Sequence, residues 1–150
     1  MAGDVGMVMV PVVERLPAGF DMLQQNARAE GHRNMDRLVE DWASGAQRFD
    51  AAGEALLAAL VAGELAGIGG ITADPTMQGA LRMRRFYVRA LFRRHGVGRR
   101  LAETLIASVH LGVHLVVNAG TQQAARFWEA LGFMPDQRDG HTHTLPWRGG

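Results

Sequence analysis

Apolar positions recur along this chain with two different periods. Residues 7–13, MVMVPVV, form a short Val-rich run that predicts a strand, and Pro11, which has no ladder donor, favours a sheet edge. Residues 18–30 and 33–43 predict two amphipathic helices with a break at Gly31 and an end at Ala43-Ser44-Gly45. Met35, Leu38, Val39 and Trp42 fall at i, i+3, i+4 and i+7, so one face of the second helix is apolar. The runs 55–62, ALLAALVA, and 65–72, LAGIGGIT, flank Gly63-Glu64 and predict a hairpin that Asp74-Pro75 closes.

Residues 82–89 alternate loosely and contain Phe86, Tyr87 and Val88, which predicts a strand. The Gly-containing stretch 93–98 then opens a helix of about 12 residues carrying Leu101, Leu105, Ile106 and Val109. Residues 113–117, VHLVV, predict a buried strand. Thr121 is placed to cap the next helix, where Ala124, Phe127, Trp128 and Leu131 share a face, and Gly132 ends it. Phe133 to Trp147 predicts a last hairpin turning at Asp139-Gly140. The resulting order, β-α-α-β-β-β-α-β-α-β-β, is that of an α/β protein with helices on the faces of a mixed sheet.

A length of 150 residues, 47% of them hydrophobic, fits one domain spanning 1–150 that buries its core without a disulfide or a metal. Absence of Cys excludes thiol nucleophiles, disulfide frameworks and cysteine zinc sites. The longest apolar stretches are broken well short of a membrane span, and the first ten residues carry Asp4 instead of a basic region, so a cytoplasmic protein is expected. The formal net charge of +1 hides an uneven distribution. All 16 basic residues are Arg, a usage that a GC-rich genome explains. Genome bias does not explain why eight of them lie between Arg82 and Arg100, with no Asp or Glu between Asp74 and Glu103. Such a cationic field draws an anion: nucleic acid, an acidic membrane surface or a phosphorylated small molecule.

The densest part, Arg93-Arg94-His95-Gly96-Val97-Gly98-Arg99-Arg100, joins a strand to a helix. First-turn N–H groups have no intrahelical partner, the helix dipole adds positive charge there, and glycine lets the backbone approach a bound group. Forked Arg donors complete a pyrophosphate cradle. The run 86–101, FYVRALFRRHGVGRRL, resembles motif A of the GCN5-related N-acetyltransferases (the GNAT superfamily), whose core Arg/Gln-x-x-Gly-x-Gly/Ala is matched by Arg93, Gly96 and Gly98. Downstream, 124–133, AARFWEALGF, resembles the closing helix of that family, and the element order agrees along nearly the whole chain.

The resemblance implies a GNAT-type mixed, mostly antiparallel sheet flanked by about four helices, acetyl-CoA as donor and a primary amine, on a small molecule or a peptide, as acceptor. It implies that the fourth and fifth strands splay apart and admit the pantetheine arm. Main-chain groups of Phe86 and Val88 would pair with pantetheine amides, and the Val88 N–H would stabilise the oxyanion. Amides from Arg94, His95, Gly96, Val97 and Gly98, with the Arg93 and Arg99 side chains, would hold the pyrophosphate. Thr121 falls where many members have a cofactor-contacting Asn, and Asn118 is the alternative. Where the family commonly has a Tyr acid, this chain has Trp128, which only donates a hydrogen bond and more naturally packs beside the cofactor arm. The sole Tyr, Tyr87, reads as a packed strand aromatic.

A general base is harder to place. Some relatives use a Glu on the fourth strand, but Arg82, Arg84 and Arg85 stand there, either reaching toward the 3′-phosphate or facing solvent. Glu54 is the nearest candidate, with Asp74 similar, although each also reads as a solvated turn residue. His141 and His143 share one face of what reads as an exposed edge strand, and with no third ligand in view no metal is expected. Asp36, Glu40 and Asp41 read as the wet face of a helix, with an acidic acceptor wall as the other option. Three functions compete: a direct-transfer N-acetyltransferase, a non-catalytic acyl-CoA-binding module, and a nucleic-acid binder, the last weakened by scarce aromatics among the Arg residues. No membrane partner is expected, and a homodimer through the last hairpin rests on the resemblance alone.

Overall fold

Two adjacent strands buried on both faces set the centre of the molecule, whose computed structural model describes residues 6–138 and 140–145. Strand β2 (Ala55–Val61) turns at Ala62-Gly63 into β3 (Glu64–Ala73), and the two pair antiparallel. Strand β1 (Met7–Pro11) adds to the outer side of β2, with Pro11 opposite Leu57, so the proline lies on the sheet edge as its chemistry requires. On the other side β3 pairs antiparallel with β4 (Leu81–Val88), and β4 runs parallel to β5 (Leu115–Val117). The hairpin β6 (Met134–Arg138) and β7 (His141–Leu145) docks through β7, giving the order β1-β2-β3-β4-β5-β7-β6. Of the expected last hairpin, Asp139 and Trp147 lie outside the described residues, as does Asp4.

Helices α1 (Phe20–Ala29) and α2 (Asn34–Ser44) cover one face, and α3 (Val97–Ala107) and α4 (Gln122–Ala130) the other. The β2 run shows why both faces are dry. Leu56 and Ala58 pack with Leu23, Met35 and Leu38, while Leu57 and Ala59 pack with Leu101 and Leu105. Every residue of β3 from Leu65 to Thr72 is buried, so its glycines are packing residues. At Gly70 a Cβ would lie 2.6 Å from the Phe49 ring and 3.0 Å from the Ala55 carbonyl. The element order, the mostly antiparallel sheet and the four helices are those expected from the sequence.

Strand β4 is less regular than its sequence suggests. Tyr87 faces Ile68 and Arg84 faces Gly70, so Arg85 and Phe86 together oppose Gly69. This bulge holds Arg85 at φ 60°, a costly conformation for a residue with a Cβ. Its effect is a change of phase: Leu81 and Met83, then Phe86 and Val88, all face α3 and α4, while Tyr87 joins the α1/α2 side.

Three polar assignments are corrected by these placements. His141 and His143 are 2% and 6% exposed, because β7 lies between β5 and β6 and is no edge. Asp74 is no solvated turn residue: it is buried, accepting from the N–H groups of Thr76 (3.2 Å) and Met77 (2.7 Å) and from Arg82 Nε (2.9 Å). Asp36 is also buried, held by Gln24, Arg28 and Arg33.

Replacing Gly70 by Ala should destabilise the protein by about 1–3 kcal/mol, since neither the Phe49 ring nor a backbone carbonyl can yield freely. The same change at Gly120, where a Cβ meets nothing within 4 Å, should stay within about 0.5 kcal/mol in a urea titration.

Candidate functional site

Pairing between β4 and β5 runs only from Leu81↔Leu115 to Met83↔Val117, so beyond Met83 the strand β4 has, among the described residues, a neighbour on one side alone. The orientation of that open edge follows from ladder alternation. Arg89 N–H donates to the Ala66 carbonyl at 2.9 Å, and Val88 faces Gly67 one step earlier. Val88 therefore turns its own N–H and carbonyl away from β3, into the gap. Two side chains occupy carbonyls along this stretch: Arg93 Nε donates to Val88 O at 2.9 Å, and Asn34 Nδ2 donates to Phe86 O at 2.9 Å. The Val88 N–H remains directed into the gap.

Past β4 the chain makes one 3-10 turn, Ala90–Phe92, and reaches α3 through Arg94 at φ 67° and Gly96 at φ 80°. No side chain caps α3, and its first turn holds no acid. The first intrahelical bond is Arg100 N–H to Gly96 O at 2.9 Å, so the preceding amides have no helical acceptor. Space around Gly96 is open, whereas a Cβ at Gly98 would come within 3.3 Å of the Phe127 ring. One glycine thus keeps the helix end accessible and the other lets α3 close on α4. Arg94 and His95 are exposed beside it, and Arg99 pairs with Glu103 at 3.0 Å. An uncapped, acid-free helix end with open space suits the pyrophosphate of acetyl-CoA.

Arg93 does not turn toward that end. Both of its terminal nitrogens donate to Glu30, at 2.8 and 2.5 Å, and the Tyr87 hydroxyl donates to the same carboxylate at 2.5 Å. The Arg93 and Tyr87 hydrogen bonds hold the Glu30 pKa below the usual carboxylate range. Burial, then the Glu30 contact, pushes the Tyr87 phenol well above its ordinary value. Tyr87 is thereby a fixed donor to Glu30.

The remaining candidates divide. Trp128 is 5% exposed and meets Phe86, Phe127 and Phe133 edge to face, with centroids 4.9, 4.9 and 5.3 Å apart. Thr121 Oγ1 accepts from Ala124 N–H at 3.0 Å, which makes it the N-cap of α4. Asn118 is exposed just beyond β5. Glu54 is not brought to this place. Its carboxylate accepts from Ala51 N–H (3.2 Å) and Ala73 N–H (2.9 Å), tying the start of β2 to the end of β3. Ala73 faces Leu81, seven residues before Val88, which is roughly 20 Å along the strand. Phe86, Val88, Arg94 to Arg99 and Trp128 converge on the open end of β4; Glu54 lies at the other.

Asn34 and Glu30 were not found from the sequence. Their bonds span 52 residues to Phe86 and 63 to Arg93, and no local pattern encodes such a distance. The bulge did leave a trace: in LRMRRFYV the apolar alternation slips at the doubled Arg84-Arg85.

The family described as Acetyltransferase (GNAT) domain matches residues 23–147, and the chain belongs to it. Among solved structures, a protein from Exiguobacterium sp. 255-15 assigned as an acetyltransferase superposes with TM-score 0.82 at 24% identity, covering 93% of this chain and 92% of that one. A GNAT-family protein from Desulfovibrio desulfuricans follows with TM-score 0.70 and 20% identity over 93% and 98% of the two chains. A Tyr-to-Phe mutant of the AtaT toxin, solved with the C-terminus of the antitoxin AtaR and acetyl-CoA, gives TM-score 0.68 at 13% identity over 93% and 91%. No curated protein sequence matches the chain.

Because the protein has a single tyrosine, its phenol ionisation is readable by absorbance. In the wild type, ionisation should occur only with alkaline unfolding. Glu30→Gln should move it to lower pH, ahead of unfolding, although burial keeps it above its ordinary value near 10. The sign follows from linkage: a raised folded pKa adds stability that is full below about pH 10 and is lost as the pH rises through the folded value.

Proposed function

We propose that the protein is an acetyl-CoA-dependent N-acetyltransferase that passes the acetyl group to a primary amine by direct attack in a ternary complex, residues 1–150 acting as one GNAT domain in the cytoplasm. The observation that carries this reading is the juxtaposition of an open strand edge, ending at Val88, with the uncapped end of α3 at Gly96, eight residues on. Amides of Arg94, His95, Gly96, Val97 and Gly98 hold the pyrophosphate, with Arg99 swinging from Glu103 to assist. Arg93, clamped by Glu30, acts instead on Val88 by fixing its carbonyl. Phe86 and Val88 line the arm of the donor, and Asn118 or the hydroxyl proton of Thr121 contacts it from the β5 side.

Chemistry then needs little from side chains. The Val88 N–H donates to the thioester carbonyl oxygen as charge gathers there. The amine nitrogen forms its bond to the carbonyl carbon, the carbon–sulfur bond breaks, and the amine proton leaves to solvent. Trp128 cannot protonate the departing thiolate, and Tyr87 keeps its proton in a hydrogen bond donated to Glu30, so water serves. No metal takes part in this scheme. A second reading, a non-catalytic acyl-CoA-binding module, draws support from the ionisable groups nearest Val88, Glu30 and Tyr87, being bound to each other and to Arg93. Among the described residues, no helix is long and apolar enough to cross a membrane.

A thermal shift with acetyl-CoA, CoA, ATP and single-stranded DNA tests the donor site. Saturation at 100 times the dissociation constant should stabilise the protein by about 2.7 kcal/mol with both CoA forms and with neither control. Gly96→Asp should weaken acetyl-CoA at least tenfold relative to the isosteric Gly96→Asn, which shares any strain at φ 80° but not the charge. An equal affinity for the two variants would sink the pyrophosphate placement. Trp128→Tyr should raise turnover if a missing acid limits the reaction, whereas a pure binding module would stay silent with every amine.

A further inference from the structure

The α2 side of β4 carries three cationic positions, Arg82, Arg84 and Arg85, that the donor site does not use. Arg82 is closed by Asp74 at 2.9 Å and by the Gly140 carbonyl. Arg85 is closed by Asp41 of α2 at 3.2 Å. The Arg84 side chain, between them, is partly buried and makes no hydrogen bond or ion pair among the described residues, although Asp41 and Asp74 attract it at longer range. Burial, then repulsion from Arg85 and Arg82, lowers its pKa. Its guanidinium offers up to five donors, and none of its nitrogens is buried without a partner, so a bound anion would take the place of water on them.

Its position says which anion. Arg84 is the first residue past Met83↔Val117, the last pair joining β4 to β5, so it stands at the mouth of the gap. It faces Gly70, on the side of the sheet that packs Phe49 and α2, opposite the face where Phe86 and Val88 meet α3 and α4. A donor anchored at the α3 end reaches Val88 from one side, which leaves the α2 side for the acceptor. Arg84 and Val88 are four residues apart with one residue spent in the bulge, about 10 Å, a span that a flexible amine and a long guanidinium side chain bridge together.

We infer that Arg84 binds a carboxylate carried by the acceptor, so the acceptor class is amines bearing an acid group a short chain away, not polycationic amines. This rests on the acetyltransferase function proposed above. Of the three acids considered for a wall on α2, Asp36 and Asp41 are engaged by arginines, and Glu40 alone stays exposed without a partner among the described residues.

Matched probes test it: 4-aminobutyrate, 6-aminohexanoate and 8-aminooctanoate against their methyl amides, with thiol release from acetyl-CoA and melting of the CoA-loaded protein as readouts. The wild type should use at least one amino acid tenfold or more better than its methyl amide, and that amino acid should raise the melting temperature of the CoA-loaded protein. Arg84→Gln should bring the pair within twofold while binding acetyl-CoA as tightly as the wild type. Arg84→Lys, which keeps the charge and guards against a folding defect, should retain part of the preference. Equal use of acid and amide by the wild type, absence of any shift with the three acids, or a preference that survives Arg84→Gln each overturns the assignment. Failure of acetyl-CoA itself to bind is seen without any probe and removes the donor reading, and this inference with it.

Discussion

Everything at the open end of the sheet depends on one backbone irregularity, the bulge that places Arg85 and Phe86 opposite Gly69. A strand of strict period two would carry Arg85 and Tyr87 onto the face that Leu81 and Met83 occupy, thrusting a guanidinium into the α3/α4 core. The extra residue cancels that conflict. It sends Phe86 to the aromatic cluster around Trp128 and Tyr87 to Glu30, and it bends the strand as its pairing with β5 lapses. Gly69 makes room, since a Cβ there would lie 2.6 Å from the Phe86 ring. The positive φ at Arg85 is a local cost offset by burial on both faces.

Charge follows the same geometry. The arginine-rich stretch is free of acids only in sequence. In space, Asp41, Glu30, Asp74 and Glu64 come from other elements to meet Arg85, Arg93, Arg82 and Arg89. Half of the apparent cationic field is therefore spent on tying β4 to the helices and hairpins around it. What stays available lies in two places, the Arg94–Gly98 end of α3 and Arg84 at the mouth of the gap. An anion-binding surface read from composition alone is much broader than the one the fold leaves.

Elements built on local rules were legible in the sequence. Met35, Leu38 and Trp42 announce the buried stripe of α2, Thr121 announces its cap on α4, and Gly63-Glu64 announces the β2–β3 hairpin. Gly96, at positive φ, marks the strand-to-helix turn for a local reason, whereas Gly98 answers to the Phe127 ring of α4. What escaped depends on pairing between distant segments. Whether β7 is an edge is decided by β6 folding outside it, so the alternation of His141 and His143 suggests an exposed strand where both are buried. Whether Glu54 reaches the gap is decided by which end of β3 it straps, and nothing near residue 54 states that. Asp74 resembles any turn aspartate until Arg82, eight residues on, arrives beside it.

Phe86 is touched from three directions: its ring by Trp128 of α4 and by the backbone of β3, its carbonyl by Asn34 at the start of α2. With that carbonyl taken by Asn34 and the Val88 carbonyl taken by Arg93, the open edge of β4 offers its N–H groups while its acceptors are already spent, so what docks along it meets a strand that donates more than it accepts.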